Sequence, residues 1–567
     1  MFQLATLKNL IPMIVLIIGV LPASPAEAVE PTPDKQVDVD GGVAPQLLQI
    51  DKMIAEVWDA YQINPSKPAT DSEWCRRVYL DVVGRIPTAD EASSFAADNS
   101  NTKKQKLIET LLYDDLYTEE FARNWTTVWT NLLIGRTGGT ENRSMINREG
   151  MQKFLRDSFA RNKPYDKFVH QLISATGTTA PGGEDFNGAT NFLIDKVNEE
   201  NASLATAATT KIFLGLQVQC TQCHNHPFND WKQQKYWEMN AFFRQARAIG
   251  QGMQSGMGNV ATLTDRDFAG ENGNSPDEAE VYYEMRNGLV AVAYPVFVDG
   301  TEIDRSGYVS QTNRRTALAD LTVKSPYFAK SIVNRMWAHF LGYGFTSPAD
   351  DLGPHNVPTH PALLDYLGQE FQSNEHDLRQ LISWIVLSKP YGLSSRQNKS
   401  NVSDDPLLGE PPKFSHFYLR QMQAEQLYES LMATTAGVQR SGSYAEQERV
   451  KNEWLQQFNT AFGTDEGGEA TSFNGTIPQV LMMFNGDMIK SATSVAQGGL
   501  IDTIVRAPMS NAQKVETLFW KGLGRKPKAA ELSLAKTLIN TNGGNFAEGL
   551  RDMWWVILNT NEFIFIH

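Results

Sequence analysis

The sequence predicts a mainly α protein: two helical domains with a small β-containing insertion between them. Three observations predict it. Apolar residues recur at helical spacing in both halves of the 567-residue chain, as where Ile50, Met53, Ile54, Val57 and Tyr61 share one stripe. Gly followed by Pro punctuates these stretches as helix corners, with Gly ending one helix and Pro starting the next. Only residues 250–311 break the texture, with a Gly/Met-rich stretch, an acidic stretch and short alternating runs. With 41% hydrophobic residues, 12 Trp, 17 Tyr and 28 Phe, the chain can bury large cores.

Residues 1–28 read as an export signal. Lys8 precedes an apolar run at 10–21, and Ala26-Glu27-Ala28 is a small-x-small cleavage site. The run is too short to span a bilayer comfortably, although an uncleaved anchor stays open. The mature protein is therefore expected outside the cytoplasm, periplasmic or extracellular, without a stable membrane span. Residues 29–44 are Pro-, Asp- and Gly-rich and read as a disordered leader.

The first domain, 45–249, is a series of helices. Residues 50–61 and 71–83 are followed by Gly84 and by Thr88-Ala89-Asp90-Glu91, a capping box after Pro87. Helices over 104–112 and 118–133 come next. Phe121, Trp125, Val128, Trp129 and Leu132 line one stripe of the latter, read as core. Cys75 reads as a small buried hydrophobe. Helices over 151–159 and 167–173 lead through a Gly/Pro loop to an Ala/Thr-rich helix at 201–216, which delivers Cys220 at its end.

In the insertion, 250–262 is read as a loop and 265–280 as a solvated linker. Residues 281–285, 290–293 and 295–298 are read as strands. The second domain, 312–567, opens with helices over 314–321 and 327–341. Further helices are expected over 378–387, 418–434 and 477–486, with a polar insertion at 441–468. One internal echo stands out: residues 84–91 and 524–531 share G-R-x-P-x-A-x-E, with Lys528 in place of the capping Thr88.

Chemistry concentrates at Cys220-Thr221-Gln222-Cys223-His224, a C-x-x-C-H run followed by His226. Two thiols three positions apart can add across the vinyl groups of one porphyrin, and the adjacent His224 then lies under the iron. Haem c attached at Cys220 and Cys223, with His224 as ligand to the iron, is the preferred reading. A zinc site drawing on the thiolates and on His224 or His226, and a plain thiol pair, stay open. Met239, Met253 and Met257 lie downstream, and nothing selects one of them as a sixth ligand.

The block QCTQCHNHPFNDWKQQKYWEMNAFF resembles the signature of the planctomycete-type cytochrome-like domain of unknown function. Residues 334–367, NRMWAHFLGYGFTSPADDLGPHNVPTHPALLDYL, resemble its usual C-terminal companion domain, as do Arg420, Ala424 and Glu425 in an R-x-x-x-A-E pattern. The resemblance implies a cytochrome-like protein and carries no reaction with it.

Asn334, Arg335, His339, Asp350, Asp351, His355, Asn356 and His360 are metal ligands or acid–base groups by residue type. Of these, Asp350, Asp351, His355 and His360 are the candidate metal ligands. The bland alternative pairs Arg335 with Asp350 or Asp351 and leaves the histidines capping loops. A formal charge of −14 argues against nucleic acid as a partner. The function expected is electron transfer or a redox step with an unidentified redox partner. The alternatives are an extracellular metal-dependent enzyme, with polysaccharide as one candidate substrate, and a non-catalytic surface protein.

Overall fold

A computed structural model describes residues 44–567 except 142–143, 199–201, 255–257, 274, 436–441 and 463–485. The expected signal, nearly all of the leader and the helix expected at 477–486 lie outside the described residues.

The architecture is mainly α. In chain order the helices are α1 (Pro45–Ala60), α2 (Asp71–Val83), α3 (Ala89–Ala97), α4 (Lys103–Tyr113), α5 (Asp115–Ile134), α6 (Arg148–Ala160), α7 (Tyr165–Ser174), α8 (Ser203–Thr209) and α9 (Gln233–Asn240). They continue with α10 (Arg314–Lys324), α11 (Pro326–Leu341), α12 (Pro361–Ser373), α13 (Leu378–Leu387), α14 (Ala424–Thr434) and α15 (Tyr444–Phe462). Further helices cover Asp487–Ala492, Leu500–Arg506, Asn511–Leu523, Ala529–Thr541, Phe546–Leu558 and Asn561–Ile564. None of the described helices is long and apolar enough to cross a membrane.

Sheets are small. Strands β1 (Gly177–Thr178), β2 (Ala246–Gln254) and β3 (Gly258–Asp265) form an antiparallel sheet in the order β1-β3-β2. β4 (Val281–Glu284) pairs with β5 (Val290–Ala293), and β6 (Arg420–Gln421) pairs with β7 (Phe565–Ile566). The expected loop at 250–262 is thus largely a hairpin. Its glycines accommodate a register shift between Gly250 and Gly252, where φ is +80° at Gly252. Asp265, expected in a solvated linker, ends β3 and forms a two-toothed ion pair with fully buried Arg315 of α10 at 2.7 and 2.9 Å. The region 295–298 makes one isolated bridge, Val296 with Glu302, instead of a strand. α14 starts at Ala424, later than expected, because Arg420 and Gln421 extend to pair with the chain end.

The described residues make one compact unit. The two helical halves share one continuous apolar core, from Ile50 to Ile566. Trp125 and Trp129 of the α5 stripe are buried in it, and so are Trp337, Trp554 and Cys75. Burial pushes the Cys75 thiol pKa up, in keeping with an inert core residue. Full burial of each large apolar side chain contributes about 1.5–3 kcal/mol.

Long-range polar ties cross the halves. Trp58 donates to the Lys413 carbonyl at 2.8 Å. Arg77 donates to the carbonyls of Tyr391, Leu393 and His567. Asp81 accepts from Arg420 and from the Tyr391 hydroxyl.

The repeated G-R-x-P-x-A-x-E corners are structurally alike. Gly84 and Gly524 both end helices in the left-handed conformation, at φ +79° and +63°. Arg85 pairs with Glu91 and Glu120, and Arg525 pairs with Glu531 and Glu562. Burial alone would raise the Glu91 carboxyl pKa. Arg85, Tyr117 and the Thr88 amide instead hold it down to about 2. The corners also touch: a Cβ built on Gly524 would lie 3.5 Å from Ala92 and 3.9 Å from Pro87.

Candidate functional site

The C-x-x-C-H segment is displayed by a helix that stops abruptly. α8 runs into a wider turn over Thr210–Leu214 and ends at Gly215, whose φ of +63° only glycine adopts without strain. A 3-10 turn, Gln219–Gln222, then carries the motif and is capped by Cys223. Thr221 points inward, fully buried, with its hydroxyl donating to the Val218 carbonyl at 2.6 Å. The Gln222 carbonyl accepts from Gln233 and from the Trp237 indole. With Thr221 turned in, Cys220, Cys223 and His224 are left exposed, and both thiols are free.

The segment rests on the polar loop of the second half. The Leu352 amide donates to the Gly215 carbonyl at 2.6 Å. Asp350 accepts from Gln217 at 2.7 Å and pairs with Lys211 at 3.4 Å. Asp351 pairs with His355 at 3.0 Å, and Asn229 donates to His355 Nδ1 at 3.1 Å. The His355 and His226 rings lie 5.0 Å apart, with the exposed Phe228 ring 6.0 Å from His226. Two buried or half-buried amides brace this loop. Asn334 donates to Thr346 and to the Ala349 carbonyl, and Asn356 donates to the Ser347 and Asp351 carbonyls. Gly353 is required here, since a Cβ would stand 2.7 Å from the His355 ring and 2.9 Å from Asp351 Oδ1.

Hydrogen bonds separate the three clustered histidines by tautomer. A carbonyl can only accept, so the 2.7 Å contact of His224 Nδ1 with the Asn225 carbonyl places the proton on Nδ1 and leaves an Nε2 lone pair. An amide can only donate, so His226 Nδ1 accepts from Phe228 N at 3.2 Å, and its Nε2 carries the proton when neutral. His355 has both nitrogens engaged, Nε2 to Asp351 and Nδ1 to Asn229. His224 is therefore the one of the three poised to ligate through Nε2.

Burial and the neighbouring His355 ring lower the His226 pKa, against the pull of Asp351. The Cys220 thiol pKa is raised by burial, opposed by a backbone hydrogen bond and reinforced by Asp351. That is the reverse of the electropositive setting that activates a nucleophilic thiolate.

The structure disperses the other candidates. Arg335 pairs with neither aspartate; among the described residues its Nε and Nη2 are buried without partners, because Asp350 and Asp351 face the motif segment instead. His339 is packed 5.2 Å from Trp125, and burial lowers its pKa to about 4. His360 is buried against Phe345 and Phe414, its pKa also lowered by burial to about 4. Met239 is fully buried. Met257 and the side chain of Met253 lie outside the described residues. Among the described residues, no three His, Cys, Asp or Glu side chains stand together so as to hold a metal ion.

Sequence reasoning named the motif and the polar loop separately. It missed Gly215, Gln217 and Asn229, the residues that join them. Their nearness to the motif was the only signal available.

No curated protein and no solved structure matches the chain. The family model PSCyt2, described as a protein of unknown function (DUF1549), matches residues 49–248. The model PSD1, described as a protein of unknown function (DUF1553), matches residues 314–539. The segment joined at Gly215–Leu352 thus brings together one residue from each match, and the chain carries a PSCyt2 region followed by a PSD1 region.

Proposed function

We propose that the chain is an exported, cytochrome-like protein in which Cys220 and Cys223 would hold a c-type haem and His224 would be a ligand to its iron. Its role would be electron transfer, or a redox step of an extracellular or periplasmic process. The supporting observation is the tautomer held at His224: Nδ1 is tied to the Asn225 carbonyl and the Nε2 lone pair is open. Two free, exposed thiols on the turn immediately before it fit thioether attachment. When bound, the iron would supply one-electron chemistry. The chain's own contribution is to present the thiols, fix the His224 ring and set polar groups, Asp351 and His355, beside the motif.

An absorption spectrum, a pyridine haemochrome assay and intact mass test this, on protein exported from a host with cytochrome c maturation. A c-type α-band with a haem-sized mass increment, lost in Cys220→Ser/Cys223→Ser, is expected. Apoprotein from such a host would overturn the reading. Zinc retained by that apoprotein would move Cys220, Cys223, His224 and His226 to a structural metal clip. For a metal-dependent enzyme built on residues 334–360, the dispersal of His339, His355 and His360 into separate surroundings counts against a common centre.

A further inference from the structure

A second polar cleft opens where α5 and the start of α6 face α14 and α15, with about 610 Å³ of space when the open solvent at its mouth is included. Three cations, Arg136, Arg148 and Lys451, and two carboxylates, Glu425 and Glu448, line it. Apart from Leu455, the remaining wall is hydroxyl and amide groups. Both carboxylates are already committed. Glu425 takes a two-toothed pair from Arg136 at 3.0 and 3.2 Å and a hydrogen bond from Asn131 at 2.9 Å. Glu448 pairs with Arg123 at 3.1 Å and with Lys451 at 3.7 Å.

Arg148 is different. Its Nη1 donates to the Gly135 and Gly138 carbonyls at 3.0 and 3.1 Å, which leaves Nε and Nη2 uncommitted, and no carboxylate pairs with it among the described residues. Burial lowers its pKa, with Glu448 and Glu425 opposing that at longer range. Two neighbours also hold unused capacity. Among the described residues the Thr130 hydroxyl is buried without a partner, and the amide of Gln152, a largely buried residue, makes no hydrogen bond.

A buried hydroxyl without a partner is costly, and the guanidinium without an acid and the amide beside it leave hydrogen-bonding groups open to a ligand on the same cleft wall. We propose that the cleft binds a small hydroxylated monocarboxylate of the sugar-acid class, with its carboxylate on Arg148 and its hydroxyls on Thr130 and Gln152. One surplus positive charge matches a monoanion. The fixed carboxylates of Glu425 and Glu448 disfavour a dianion such as phosphate. The polar wall, with Leu455 as its one apolar residue, favours a hydroxylated ligand over a fatty one.

The test is isothermal titration calorimetry of the full chain with D-glucuronate, with D-glucose and inorganic phosphate as controls. Binding of glucuronate at least about tenfold tighter than glucose or phosphate is expected. Arg148→Gln should weaken it about tenfold or more, and Gln152→Ala by a smaller factor. Circular dichroism and the urea midpoint establish that each variant is folded. Should Arg148→Gln unfold, Gln152→Ala carries the test alone. No heat with glucuronate up to about 20 mM, equal binding of glucose, tighter binding of phosphate, or unchanged affinity in the folded variants would each overturn the proposal.

Discussion

Replacing Asp81 by Asn removes one charge from the interior of the chain and leaves its partner behind. Asp81 is fully buried on α2. It accepts from Arg420 Nη2 at 3.0 and 2.7 Å and from the Tyr391 hydroxyl at 2.8 Å. Arg420 also donates to the His339 and Phe340 carbonyls, while its Nε is buried without a partner among the described residues. Asn keeps the shape and can still accept from Tyr391, but the guanidinium loses its one ion pair among the described residues. Breaking a buried pair from one side costs about 3–5 kcal/mol. The two remaining carbonyl acceptors place the expected loss for Asp81→Asn at the lower end, about 3 kcal/mol. That is a large share of the 5–15 kcal/mol typical of native proteins. Urea unfolding followed by fluorescence reads it as a lower midpoint at unchanged slope. The double variant Asp81→Asn/Arg420→Met removes both partners and should recover much of the loss. A loss below about 1 kcal/mol, or a double variant whose loss is the sum of the two single losses, would refute the electrostatic account.

Two further perturbations address the site and the pH response. Gly215→Ala forces a side chain into the left-handed conformation and against Leu352, 3.1 Å away, and should cost about 1–2 kcal/mol in the urea midpoint. An unchanged midpoint would show that Gly215 does not set the junction. His339, pKa lowered by burial to about 4 from an ordinary 6.5, stays neutral in the folded state where the unfolded chain already takes up a proton. Stability therefore falls as pH drops from about 6.5 to about 4. His339→Phe should remove up to about 1.4 kcal/mol per pH unit from that slope in urea titrations across the interval. An unaltered slope would place the proton uptake elsewhere.

Local order was well legible because local rules govern it. The helices at 71–83 and 378–387, the Thr88–Glu91 capping box and the β4–β5 pair follow from periodicity, caps and turn residues, and the structure carries each of them. The expectations that failed concern partners distant in sequence. Asp265 reads as a linker residue until Arg315, fifty positions away, comes to pair with it. The glycines of 250–262 read as loop because of their weak strand propensity, yet Gly250 pairs with Ala261 and Gly252 with Val260, in a hairpin whose second strand is held by distant Gly177–Thr178 at Thr262 and Leu263. Arg335 and Asp350 are natural partners by charge, yet Lys211 and Gln217 claim the aspartate. The Arg148 cleft was invisible for the same reason, its walls coming from residues as far apart as Thr127 and Leu455.

The distant partners also bear on why the two family regions form one unit. The C-x-x-C-H turn carries His224 and His226 two residues apart, and local bonds already set them apart, His224 Nδ1 to the Asn225 carbonyl and Phe228 N to His226 Nδ1. In this chain Phe228 N holds the His226 proton on Nε2, and the His226 ring is set against His355. His355 is itself held by Asp351 from the second half and by Asn229 from the first. The Asp351 loop is in turn fixed by Leu352 on the Gly215 carbonyl and by Asp350 on Gln217. Each of these bonds crosses from one region to the other or secures one that does. The second region thus supplies His355, held by Asp351 and Asn229, as the wall against which His226 is seated; under the haem reading proposed above, the local bonds would select His224 and the second half would steady the segment around it.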